Sequence, residues 1–69
     1  MIKDEKFKVR HMLVSLKLTR KDGRFVIIKE LKGNNGAVEF VQGKYDKIGV
    51  AQIEFTNRLN KLRDTFQMA

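Results

Sequence analysis

The sequence has no cysteine, no proline and no tryptophan, with His11 as its one histidine and Ser15 as its one serine. Without cysteine the chain forms no disulfide and no thiolate metal site, and one histidine excludes a multi-histidine site. We therefore expect no metal and no cofactor. A chain of 69 residues without such supports is close to the lower size limit for a self-sufficient apolar core, which favours oligomerisation.

Long apolar runs are also missing. No stretch approaches the roughly 18 apolar residues of a membrane span, and residues 1–6 alternate in charge without the apolar segment of a signal peptide. With 42% hydrophobic and 33% charged residues, the composition is typical of a globular protein. We expect one cytoplasmic domain over residues 1–69, with residues 1–6 frayed and no membrane partner.

The sequence offers little for catalysis. Ser15 lies four residues from His11 on a predicted strand, beyond hydrogen-bonding reach at about 3.3 Å per residue. The carboxylates are dispersed, and only Asp4 and Glu5 are adjacent. General acid–base catalysis needs a side chain positioned to transfer a proton, and the sequence identifies no acid/base pair for this role. We predict that the protein is not an enzyme and has no catalytic residues.

Two apolar alternating segments flank Asp22-Gly23. The first runs from Met12 to Thr19 and the second from Phe25 to Ile28, and an Asp-Gly pair between such segments predicts a β-hairpin. A two-residue type I′ turn sets Leu18 opposite Ile27 and, on the same face, Val14 opposite Leu31. A three-residue loop, which shifts every pair by one, stays open as an alternative.

A second turn is predicted at Gly33-Asn34-Asn35-Gly36, followed by a third strand, Ala37–Val41. Centring this turn on Asn35-Gly36 places Leu31 opposite Phe40 and Lys32 opposite Glu39. Both hairpins then agree on which face of the sheet is apolar. The hairpins together predict an antiparallel meander.

The C-terminal third carries an amphipathic stripe with helical spacing. Its members are Ile48, Gln52, Phe55, Leu59, Leu62 and Phe66. The start of the helix is open, because residues 44–50 fit either a short fourth strand or the first turns of the helix. The predicted fold class is α+β: a three- or four-stranded antiparallel meander with one C-terminal helix packed on one face.

Positive charge is concentrated in one segment. Residues 6–32 contain nine basic residues and only two acidic ones, so the whole net charge of +7 resides there. Cations on a projecting hairpin can neutralise phosphates and release counterions, although they also protect a sheet edge from aggregation. The candidate nucleic-acid-binding residues are Lys17, Arg20, Lys21, Arg24, Lys29 and Lys32.

Several other side chains fall outside the predicted core. Leu13, Val26, Ile28 and Val41 point to the face opposite the core, which favours burial in a homodimer or a binding surface. Among the aromatic residues, Phe25, Phe40, Phe55 and Phe66 take core positions. Phe7 and Tyr45 remain as candidates for stacking on bases.

The leading prediction is a small basic nucleic-acid-binding protein, dimeric, that contacts phosphates of DNA or RNA through its first hairpin. The alternative is a protein-interaction module, such as a small modulator or inhibitor encoded by a phage or plasmid, docking on an acidic partner protein.

A basic meander followed by a helix also resembles the single-stranded-DNA-binding modules of the positive-cofactor-4, Pur and Whirly group. That resemblance implies pairing through the helix and nucleic acid on the sheet. The sheet-plus-helix arm-binding domains of phage integrases are similar too.

Overall fold

The computed structural model describes residues 2–67, with side chains described as far as Thr65. Four strands form one antiparallel sheet in the order β1-β2-β3-β4, and a single helix follows. The elements are β1 (Lys3–Val9), β2 (Met12–Lys21), β3 (Arg24–Gly33), β4 (Gly36–Tyr45) and α1 (Ile48–Gln67). The predicted α+β meander with a C-terminal helix is confirmed.

The β2–β3 hairpin has the predicted two-residue turn. Asp22 and Gly23 both have positive φ values, 54° and 77°, as a type I′ turn requires. Leu18 consequently pairs with Ile27, and Val14 pairs with Leu31. This register confirms the predicted pairing and excludes the three-residue loop.

The β3–β4 turn lies one residue earlier than predicted, which shifts every cross-strand partner by two residues. Gly33 pairs with Gly36, so the turn residues are Asn34 and Asn35, and Leu31 lies opposite Val38 instead of Phe40. Gly36, with a φ of 122°, follows the turn residues instead of occupying their second position. Since the error is an even number of residues, every side chain keeps its predicted face.

A bulge interrupts the pairing of β3 with β4. Ile28 pairs with Val41 and Ile27 with Gly43, so Gln42 is the extra residue. A Cβ atom on Gly43 would lie 2.5 Å from the Tyr45 hydroxyl, so the ring lies where a larger residue would collide with it.

Residues 44–50 divide between the two predicted alternatives. Lys44 and Tyr45 end β4, and α1 begins at Ile48. Ala51, a residue of high helix propensity, lies in the first turn of α1 and is buried in the core cluster.

The expectation of a frayed N-terminus is wrong for residues 3–6, which form the first half of β1. Lys3 pairs with Leu18 and Lys6 with Ser15, and the Ile2 amide donates a hydrogen bond of 2.8 Å to the Leu18 carbonyl. An edge strand of this kind is held by backbone pairing, so its charged side chains give no apolar alternation from which to predict it. Met1 lies outside the described residues.

The core lies between α1 and one face of the sheet. Leu16, Leu18 and Ile27 from the sheet pack against three helical residues, and all six are buried. The helical residues are Ala51, Phe55 and Leu59. Partly buried Phe25 and Leu62 pack against this cluster.

Three predicted core positions differ from expectation. Ile48 is 43% exposed and Gln52 is half-buried, because Ala51 takes the innermost position of the first helical turn. Phe40 is 45% exposed, although it lies on the face that α1 covers elsewhere. The side chain of Phe66 lies outside the described residues.

Candidate functional site

The face of the sheet opposite α1, here called the open face, carries most of the strand cations. Cross-strand partners share a face, so the pairing register identifies its members. Seven cations and three carboxylates of the four strands lie on this side. They are Lys6, Lys8, Lys17, Lys21, Arg24, Lys32 and Lys44, with Asp4, Glu30 and Glu39.

The register divides the six predicted binding residues between the two faces. Arg20 and Lys29 lie on the helix side of the sheet. The Arg20 guanidinium carbon is 5.8 Å from the centroid of the Phe25 ring. Lys29, half-buried, pairs with Leu16 and Phe40. The structure brings the other four together on the open face: Lys17, Lys21, Arg24 and Lys32.

A groove of about 460 Å³ occupies the end of the open face nearest the Asp22-Gly23 turn. Its apolar lining comes from two adjacent strands, and charged side chains complete it. The apolar residues are Val26, Ile28 and Val41; the charged ones are Lys21, Asp22, Arg24 and Lys44. Three cations thus surround a concave apolar surface, an arrangement that suits an anionic ligand with some apolar area.

Lys44 is the groove residue that sequence reasoning missed. It pairs with Val26 and so belongs to the open face. Without the bulge at Gln42, the alternation that begins at Val41 would place residue 44 on the helix side. The Gly43 in this strand is the one local signal of an irregularity, because glycine in a strand interior often marks a bulge.

Ion pairs neutralise part of the open face. Lys17 Nζ lies 3.6 Å from Glu30 Oε1, with both side chains about 20% exposed, and Lys6 pairs with Asp4 at 3.6 Å. Arg24 Nε lies 3.4 Å from Asp46 Oδ1, but both side chains are exposed, so this contact is weak. Among the cations of the open face, those without a carboxylate partner in the described chain are Lys8, Lys21, Lys32 and Lys44.

The free cations therefore lie toward opposite ends of the open face. Lys21 and Lys44, beside the weakly paired Arg24, surround the groove, whereas Lys8 and Lys32 lie near the other turns. Arg24 and Lys32 are eight residues apart on β3, or about 26 Å along the strand. Between these two cations, Glu30 of β3 and Glu39 of β4 lie directly opposite each other. The groove is consequently the richer of the two candidate anion sites.

The four apolar residues predicted to face away from the core do lie on the open face, but most are covered by their neighbours. Val26 is 3% exposed, and Leu13 and Ile28 are half-buried. Only Val41, at 59%, is largely exposed. This face therefore gives little reason for burial against a second copy.

The two residues predicted as stacking candidates are not on the open face. Phe7 and Tyr45 are half-buried and pack against the core on the helix side. Every aromatic residue of β1–β4 lies on that side. Base stacking on the open face is therefore not available to the described strands.

Ser15 and His11, which the sequence analysis weighed and rejected as a catalytic pair, are in different surroundings. Ser15 is 1% exposed, and its hydroxyl has no hydrogen-bond partner within the described residues. His11 is exposed in the turn between β1 and β2. No group of three or more histidine, aspartate or glutamate residues that could hold a metal ion occurs in the described part of the chain.

Among residues 2–67, no helix combines the length and the apolar character needed to cross a membrane. No protein-family model, no curated protein and no solved structure matches this chain. The geometry of the open face is therefore the basis for a functional conclusion.

Proposed function

We propose that this protein binds nucleic acid through the open face, as a dimer, with the phosphates contacting the cations of the groove. The observation that carries the proposal is the convergence of Lys21, Arg24 and Lys44 around one concave surface. Two of these cations have no ion-pair partner in the described chain, so they are available to replace the counterions of a phosphate backbone.

The chemistry of the groove favours backbone contacts over base recognition. Lysine and arginine bind phosphate oxygens without regard to sequence. The apolar lining of Val26, Ile28 and Val41 has no aromatic ring and no hydrogen-bonding side chain for base edges. Affinity should therefore be largely electrostatic and tolerant of sequence.

The contact set changes from the one predicted by sequence. Lys21, Arg24 and Lys32 stay in it, and Lys44 joins it. Lys17 contributes less because Glu30 already neutralises it. A ligand lying flat on the open face reaches neither of the two cations on the helix side, Arg20 and Lys29.

A salt series tests the proposal. Fluorescence anisotropy with mixed-sequence duplex DNA, single-stranded DNA and RNA should show affinity that falls linearly with salt on logarithmic axes. Changing Lys21, Arg24 and Lys44 together to glutamine should reduce the slope on duplex DNA by about 2.7, at about 0.9 per lost phosphate contact.

The matched control removes the same charge elsewhere. Lys29, Lys61 and Arg63 lie on the helix side of the sheet or on α1, and their triple change to glutamine should leave the slope nearly unchanged. Equal losses in the two triple variants would mean that only net charge matters. Absence of salt-sensitive binding to all three nucleic acids at micromolar protein would overturn the proposal.

The alternative function is docking on an acidic partner protein, and the lack of an aromatic residue on the open face favours it. The same groove cations would then pair with carboxylates. After nuclease treatment, one stoichiometric partner retained by the wild type and lost by the groove variant would support it. The nucleic-acid proposal requires instead that the purified chain bind without a second protein.

A further inference from the structure

The two edge strands of the sheet are built differently. In β1, five of the seven residues are charged, whereas Gly36–Gly43 of β4 contains a single charged residue, Glu39. Charged side chains on an edge discourage pairing with another chain, because they would have to be brought together and desolvated. The edge formed by β1 is protected in this way, whereas β4 has few such charges, and its bulge at Gln42 comes after the regular segment 36–41.

The unprotected edge also exposes apolar side chains on both of its faces. Val38 is 54% exposed and Phe40 45% exposed on the helix side, and Val41 is 59% exposed on the open face. Only β3 pairs with β4, so the outer backbone groups of β4 have no partner strand in the sheet. A β-strand bound here would satisfy the backbone groups and cover these three side chains together.

We propose that β4 pairs antiparallel with β4 of a second copy, in a register centred on Phe40. This inference rests on the dimer of the proposed function and names its interface. A twofold axis perpendicular to the sheet keeps equivalent faces on the same side, so residues of one face must pair with each other. Phe40 then lies opposite Phe40 of the partner subunit, and Val41 lies opposite Glu39 of the partner subunit.

A second copy fits this edge better than it fits the other surfaces formed by the described residues. Two molecules of net charge +7 repel each other, and the first eight residues of β4 carry no cation. On α1 the exposed Val50 and Ile53 are followed by Asn57 and Asn60, so they form no continuous apolar stripe. A chain with so small a core also gains from oligomerisation.

The dimer would join two binding sites into one surface. Because the two copies share a continuous sheet of eight strands, both helices lie on one side and both open faces on the other. Val41 and Lys44, which line the groove, belong to the strand that forms the interface. The two grooves then flank the twofold axis, and a single nucleic-acid strand or duplex can engage both.

Cysteine cross-linking tests the register directly, because the natural chain has no cysteine. Directly opposed Cα atoms in an antiparallel pair are about 4.5–5.5 Å apart, within the range of about 4.4–6.8 Å for a disulfide. Under mild oxidation, Phe40→Cys should convert most of the chain to a covalent dimer. The control Ile53→Cys, at a helix position 64% exposed, should remain largely monomeric on a non-reducing gel.

Sedimentation measures the same interface without a new bond. At about 100 µM chain, the wild type should sediment as a dimer, and F40K, which places a lysine on the edge strand, should sediment as a monomer. The control I53K should remain dimeric. Circular dichroism of F40K must match that of the wild type, and since Phe40 is already half exposed, we expect the fold to survive.

Each outcome separates the interface from the proposed function. A wild type that is monomeric at this concentration overturns the interface, while salt-sensitive binding by that monomer would leave nucleic-acid binding intact. A wild-type dimer that survives in F40K, or cross-links equally through Ile53→Cys, places the contact on another surface. Dimerisation through Phe40 without any nucleic-acid binding would support the interface alone.

Discussion

The two faces of the same sheet have opposite chemistry, although neighbouring residues of single strands supply both. On β2, Leu16 and Leu18 are fully buried beneath α1, while Lys17 between them is turned to the open face. On β3, Ile27 likewise lies on the helix side and Ile28 on the open face. Stability therefore depends mainly on one set of alternate positions, and the proposed binding depends on the other.

The largest expected effect on stability comes from a core substitution on the helix side of the sheet. Phe55 is 2% exposed at the centre of the core, so Phe55→Ala should lower the free energy of unfolding by about 3–5 kcal/mol. Ile53→Ala, two residues away but 64% exposed, should lower it by less than about 0.5 kcal/mol. Urea denaturation measures both. A similar loss in the two variants would mean that α1 packs in another orientation.

Charge reversals on the two faces test whether nucleic-acid binding depends on the open face. Lys44→Glu on the open face should reduce the salt slope of nucleic-acid binding by about 1 and weaken affinity about tenfold, or about 1.4 kcal/mol. Lys29→Glu on the helix side should change the slope by much less. The comparison requires both variants to unfold at similar denaturant concentrations. Equal weakening would show that the ligand does not distinguish the faces.

We expect a smaller effect on stability at the Asp22-Gly23 turn, which fixes the register of β2 with β3. Gly23 has a φ of 77°, so Gly23→Ala should destabilise the protein by about 1 kcal/mol through backbone strain. Gly49, in the first turn of α1, has open space around its Cβ position, and Gly49→Ala should stabilise by about 0.5 kcal/mol. Thermal unfolding should move in opposite directions for the two glycines.

The smallest expected effect concerns the one buried polar residue of the open face. The Ser15 hydroxyl has no hydrogen-bond partner within the described chain, so Ser15→Ala should be neutral or stabilise by up to about 1 kcal/mol. Thr19→Ala, at a half-buried open-face position, serves as the comparison. A loss above about 1 kcal/mol in Ser15→Ala would indicate that the hydroxyl is hydrogen-bonded.

Parts of the candidate site followed from the sequence because their causes are local. The Asp22-Gly23 turn and the flanking alternation predict the hairpin and place Lys17 away from the core, and the structure selects the two-residue turn that pairs Leu18 with Ile27. The second turn was predicted one residue too late. Asn34-Asn35-Gly36 permits more than one loop, and the observed loop leaves Gly36 outside the turn. Lys44 was missed because its face depends on the bulge at Gln42.

The sequence by itself determined the first hairpin, the division of its residues between two faces and the presence of a C-terminal helix. Turn chemistry and side-chain alternation operate over a few neighbouring residues, so they can be recognised without the rest of the molecule. Only the tertiary structure decided that residues 3–6 join the sheet, that Phe40 stays exposed and that Lys44 reaches the groove. Those outcomes depend on which strand finds a partner and where α1 lies across the sheet, and such contacts join residues far apart in the chain.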